Sequence, residues 1–148
     1  MPVSRLFEAH LTVRDLGRSV GFYRDVVGLP VALEIPERGA TFFWVGGAGE
    51  HMLGLWSLGS MPMGMSLHVA FGVKLDDLLA APARLRELGV VPLSFFGEET
   101  DEPSVLGWMP AGAVYFRDPD GNQLEYLTML DAEPRPQAGI IPWSRWRA

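Results

Sequence analysis

The sequence predicts an α+β chain that writes one plan twice in 148 residues: a strand, a helix and three strands. Three observations carry this reading. The stretch RLFEAHLTV at 5–13 alternates: Phe7, Ala9, Leu11 and Val13 are apolar, while Leu6, Glu8, His10 and Thr12 form a mostly polar face. That is the period of a strand with one buried side. Behind it, RDLGRSVGFYRDVVGL sets Leu16, Val20, Tyr23 and Val27 at helical spacing, with Asp15 as N-cap and Gly28 as stop. The same order then returns from residue 66.

The remaining elements follow from punctuation and period. After the first helix, PVALEI at 30–35, ATFFWVG at 40–46 and HMLGLWSL at 51–58 read as strands separated by Gly and Pro clusters. In the second half, SLHVAFGV at 66–73 is a strand. DDLLAAPARLRELGV at 76–90 is a helix in which Pro82 predicts a bend, or a start at the proline. VVPLSFF at 90–96, AVYFRD at 113–118 and NQLEYLTML at 122–130 read as three further strands. Asp118-Pro119-Asp120-Gly121 is turn chemistry: proline presets one angle and glycine accepts a positive φ. The segment 97–112, with four carboxylates, Trp108 and Met109, reads as an insertion-like loop, either a lid or a surface loop. One domain over 1–148 is expected, with repeats at about 5–58 and 66–130 and a tail at 131–148.

Composition narrows the function classes. A net charge of -6 and 12 scattered basic residues argue against a nucleic-acid surface, which needs clustered cations. An acidic surface either serves solubility alone or attracts cationic ligands, and the first is the commoner case. With no cysteine, thiolate zinc sites, disulfides and cysteine nucleophiles are excluded, so any metal takes nitrogen and oxygen donors. No apolar run approaches the roughly 20 residues that cross a bilayer. MPVSRLFEAH lacks a basic region followed by an apolar stretch, so no signal peptide is expected and a cytoplasmic location is the default.

Laying one half on the other at an offset of 60 pairs Phe7, Ala9, Leu11 and Val13 with Leu67, Val69, Phe71 and Val73, all apolar. On the opposite face Glu8 meets His68 and His10 meets Ala70. In the last strand Glu125 sits between Leu124 and Tyr126. An unpaired buried carboxylate is costly, so Glu125 needs solvent or a partner. Glu8, His68 and Glu125, with His10 adjacent, are donors of the type that hold Mn, Fe, Zn, Ni or Co. The same His–carboxylate chemistry serves acid–base catalysis, for which His10 and Glu125 are the candidates. His51 reads as a strand-start residue without a role.

These residues also carry a resemblance. DLGRSVGFYRDVVGL resembles the helix signature Asp-Leu-x-x-Ser-x-x-Phe-Tyr-x-x-x-x-Gly-Leu of the vicinal oxygen chelate superfamily, and YFRDPDGNQLEYL is similar to its C-terminal signature. The group includes glyoxalase I, fosfomycin-resistance enzymes, extradiol dioxygenases and bleomycin-resistance proteins. The resemblance covers about 5–130. It implies two βαβββ modules in a U-shaped, partly closed mixed sheet with helices outside. It also implies a divalent metal (Fe, Mn, Zn or Ni) held from the first and last strands of each module.

Carried over by position, the ligands are Glu8, His68 and Glu125. Glu8 departs from the His or Gln most often found there, and the fourth position falls near Gly54, which has no side chain. His10 is the alternative first-strand ligand if the strand slips; otherwise it is a ligand's partner or a base. Phe43 or Trp44, Trp56, Tyr115, Trp108 and the Met-rich stretch at 60–65 are candidates for the substrate pocket.

Two functions are compatible with this resemblance. One is a metal-dependent isomerase, lyase or dioxygenase acting on a small substrate with vicinal oxygens. The other is a metal-free protein that sequesters a cationic aromatic drug, as in bleomycin resistance. A homodimer is implied as well. The tail, with Trp143 and Trp146, is expected to pack on the body or on a second subunit.

Overall fold

The computed structural model describes residues 5–57 and 66–147. The Met-rich stretch at 60–65 and Leu58 lie outside these described residues. The chain is α+β and divides into two compact units: residues up to Leu67 together with Asp118–Asp120, and His68–Arg117 together with Gly121–Ala148.

The first unit contains β1 (Glu8–Val13), α1 (Leu16–Asp25), β2 (Val31–Ile35), β3 (Ala40–Val45) and β4 (His51–Ser57). Its sheet runs β1-β4-β3-β2, with β1 parallel to β4 and the other pairs antiparallel. The alternation in β1 is realised: Leu11 and Val13 are buried while His10 and Thr12 are exposed. Leu11, Val13, Phe43, Leu53 and Leu55 are core residues, and Tyr23 of α1 meets Phe43 with ring centres 6.1 Å apart. Asp15 caps α1 as expected, its carboxylate accepting from the Arg18 N–H at 3.0 Å. Gly28 takes φ +82 just beyond the helix, where a side chain would be strained.

The turn carboxylates bind this helix. Tyr23 donates to Asp118 Oδ2 at 2.8 Å, Ser19 Oγ donates to Asp120 Oδ2 at 2.9 Å, and the Arg14 N–H donates to Asp120 Oδ1 at 2.9 Å. Ser19 and Tyr23 are both fully buried, so these bonds satisfy hydroxyls that have lost water.

The second unit contains β5 (His68–Gly72), α2 (Leu75–Glu87), β6 (Ser104–Leu106), β7 (Ala111–Arg117), β8 (Gln123–Met129), β9 (Ile140–Pro142) and α3 (Trp143–Trp146). The sheet order is β5-β8-β7-β6-β9, with β5 parallel to β8. Leu78, Ala81, Pro82 and Leu85 form the buried side of α2, and the helix runs through Pro82 rather than starting there.

Two sequence expectations are corrected in this unit. Residues 90–96 do not form a strand. Pro92 has no N–H to give to a ladder. Beyond it, Ser94 Oγ accepts from the N–H groups of Phe96 and Glu98, and Gly97 donates to the Ser94 carbonyl, so the backbone turns. Leu93 keeps isolated bridges to Tyr115 and Glu99.

The second correction concerns the strand that replaces it. This is β6, which lies inside the stretch read as an insertion-like loop; Val105 in it is fully buried. The acidic residues Glu99, Asp101 and Glu102 around it have partners from other segments. Arg86 pairs with Glu99 and Asp101, while Glu102 accepts from the Ser144 N–H and hydroxyl.

The tail packs on its own unit. β9 pairs with β6, and Trp146 is buried with the Arg135 guanidinium 3.6 Å from its ring centre. Gly107 is the clasp: its N–H donates to the Gly139 carbonyl and its carbonyl accepts from the Arg135 N–H, both at 2.8 Å. A Cβ at Gly107 would collide with the carbonyl oxygens of Arg135 and Gly139. Gly107→Ala is therefore expected to lower the unfolding free energy by about 1–3 kcal/mol in urea denaturation. A loss below about 0.5 kcal/mol, the usual range for a harmless surface change, would contradict this clasp.

Burial, and secondarily the Asp118 carboxylate, push the Tyr23 phenol far above its ordinary range. The unfolded chain loses this proton near pH 10 while the native chain keeps it, so stability is retained below about pH 10 and falls as pH rises further. Urea titrations from pH 8 to 11.5 are expected to show that fall, made shallower by Tyr23→Phe. An identical slope in the variant would contradict the assignment.

Candidate functional site

In each unit the side chains with chemistry lie on the sheet face whose strand residues alternate with the helix-packed core. In the second unit that face joins three neighbouring strands. Glu125 on β8 has Tyr115 of β7 directly opposite it and Ala70 of β5 on its other side. His68, two residues before Ala70, therefore reaches Glu125 diagonally. Its Nε2 stands 2.9 Å from Glu125 Oε2. Glu125 is only 5% exposed. The Tyr115 hydroxyl donates to the same carboxylate, and burial followed by the Glu125 charge pushes that phenol well up, so it stays protonated at neutral pH. The Tyr115 ring lies 6.2 Å from the His68 ring and 6.0 Å from Phe95. The Glu125 question from the sequence is answered by partners, not by water.

The first unit presents a different pair in the same register. His10 is the strand partner of Gly54, just as Ala70 is the partner of Glu125. His10 Nε2 stands 3.0 Å from Glu8 Oε1, and the Trp56 indole N–H donates to His10 Nδ1 at 2.5 Å. The imidazole stacks on Trp56 with planes 27° apart and meets the edge of Phe42, both at 5.8 Å. Trp44 is half-buried on β3, strand partner of Met52. Trp108 is 62% exposed after β6. His51 spends its Nδ1 on the Leu6 carbonyl, 2.8 Å away.

The donor chemistry of the second pair fits a metal. Two donors about 2.1 Å from one cation, set near a right angle, stand about 3 Å apart. His68 Nε2 and Glu125 Oε2 have that separation. Among the described residues, no group of three or more His, Cys, Asp or Glu side chains is gathered as a metal cage. The donors form one pair in each unit. The roles given to Tyr115 and Phe42 were the part the sequence reading missed. A hairpin centred on Asp120 sets Arg117 opposite Gln123 and hence Tyr115 opposite Glu125, so the turn motif held that signal. Nothing local announced Phe42.

The chain as a whole has known counterparts. Residues 5–126 match the family model of the glyoxalase/bleomycin resistance protein/dioxygenase superfamily, and the chain belongs to that family. Among solved structures it is similar to an integron cassette protein from the mobile metagenome of the Halifax Harbour sewage outfall. That match has 27% identity over 86% of this chain and 100% of the other, with TM-score 0.74. It is similar to lactoylglutathione lyase from Agrobacterium tumefaciens at 25% identity over 86% and 96% of the two chains, with TM-score 0.66. A glyoxalase/bleomycin resistance protein/dioxygenase from Nocardioides shares the fold at 24% identity over 90% and 89%, with TM-score 0.64.

Tyr115→Phe removes one of the two groups holding a buried carboxylate. It is expected to cost about 1–3 kcal/mol in chemical denaturation at pH 7. Unchanged stability would mean that the phenol does not hold Glu125.

Proposed function

We propose that the chain is a metal-dependent enzyme of its family, acting on a small substrate with two neighbouring oxygens by isomerase, lyase or dioxygenase chemistry. The observation that carries this reading is the His68–Glu125 pair at 2.9 Å, set at ligand spacing on adjacent strands. The proposed donors are His68 Nε2 and a Glu125 oxygen, both in the second unit. A bound Fe, Mn, Zn or Ni ion would supply Lewis acidity toward the substrate oxygens.

The chain's own groups do the rest. Tyr115 keeps its proton and holds one carboxylate against rotation, which fixes how Glu125 is presented. His68 is half-exposed, open to an incoming ligand. Tyr115 with Phe95 offers an apolar surface to a substrate and reduces water near His68 and Glu125. The metal-free drug-binding alternative gives no reason to bury a carboxylate against an imidazole, since binding a cation needs charge at the surface.

Metal content and zinc affinity of the untagged protein test this directly. About one metal per chain is expected, with His68→Ala and Glu125→Ala both folded by circular dichroism yet weakened at least tenfold, the lower bound for disturbing a ligand's surroundings. No metal after incubation with Mn, Fe, Ni and Zn would sink the enzyme reading. Tight binding of a cationic aromatic ligand without turnover would then put sequestration in its place.

A further inference from the structure

The position that lacks a donor in the first unit is not empty space. A Cβ on Gly54 would lie 3.0 Å from His10 Nδ1, 3.2 Å from His10 Cε1 and 3.0 Å from Phe42 Cε1. The two units invert one another at this register. In the second, a small Ala70 on β5 leaves room for Glu125 on β8; in the first, a bare Gly54 on β4 leaves room for His10 on β1. Gly54 is the floor on which the imidazole lies.

The ring's hydrogen bonds fix its chemistry. An indole N–H can only donate, so His10 Nδ1, which faces Trp56, must offer its lone pair. The neutral ring's proton therefore sits on Nε2, and from there it is given to Glu8 Oε1. A metal on Nε2 would displace that proton to Nδ1 and set it against the Trp56 N–H. Metal-bound imidazoles normally donate through their other nitrogen; here the other nitrogen meets a donor.

We infer that His10 is not a ligand but a positioning residue. Trp56 locks its tautomer, Gly54 gives it room, and its Nε2–H holds Glu8 Oε1 and so fixes the rotation of that carboxylate.

Long-range nitrogen–proton NMR of the histidine rings, with and without zinc, tests both parts. In the apo protein His10 is expected to show an unprotonated Nδ1 and a protonated Nε2, and Trp56→Phe is expected to mix the tautomers. Zinc is expected to move His68 and leave Nε2 of His10 protonated. His10→Gln keeps an acceptor for Trp56 and a donor for Glu8, so the Trp56 indole N–H resonance should stay near its parent position. His10→Leu leaves the indole without that acceptor and should shift its N–H resonance upfield.

A reversed apo tautomer, zinc on His10 Nε2, or equal indole N–H shifts in the Gln and Leu variants would each overturn the inference. If zinc binds nowhere, the metal reading falls, while the apo spectrum and Trp56→Phe still decide the lock.

Discussion

A carboxylate buried in a sheet must be partnered, and Glu125 sets the terms for the structure around it. Stripped of water and left alone, such a group shifts toward its neutral form or destabilises the fold. The sheet order solves this by flanking β8 with β7 on one side and β5 on the other. The antiparallel register supplies Tyr115 directly opposite, and the parallel register supplies His68 on the diagonal. The phenol, raised by burial and by the carboxylate, serves as a donor that does not ionise at neutral pH. The hydrogen bonds that permit the burial also aim the group, which is why one arrangement serves stability and the proposed ligation together.

The same parallel pairing recurs between β1 and β4, yet the chemistry placed on it differs. There the bulk sits on the first strand, and an indole N–H, an imidazole and a carboxylate form a relay along one face. A duplicated scaffold can hold opposite size patterns at one register because only the sum of the two side chains must fit. Steric room therefore decides where a polar group can be mounted, and the hydrogen-bond partner decides what that group can do.

Much of this was legible in the sequence because it is local or periodic. Alternation gave the inward face of β1; the spacing of Leu16, Val20 and Tyr23 with Asp15 gave α1; the overlay of halves put His68 opposite Glu8, and the family resemblance flagged the bare glycine at 54. What escaped notice depends on distant partners. Residues 90–96 have the composition of a strand, but Pro92 and the Ser94 hydroxyl divert the backbone, and the sheet is continued instead by three residues hidden among carboxylates. Those carboxylates looked like a solvated loop, because their cation, Arg86, and the Ser144 backbone they hold come from other segments. The tautomer of His10 is set by Trp56 on another strand, so neither residue's neighbours disclose it.

Anomalous diffraction from crystals soaked in zinc tests the central claim most directly. The account predicts an anomalous peak about 2.0–2.2 Å from His68 Nε2 and from a Glu125 carboxylate oxygen, with the Trp56–His10–Glu8 hydrogen bonds intact. A peak bonded to His10 Nε2, or fully loaded crystals with no peak at His68, would contradict it.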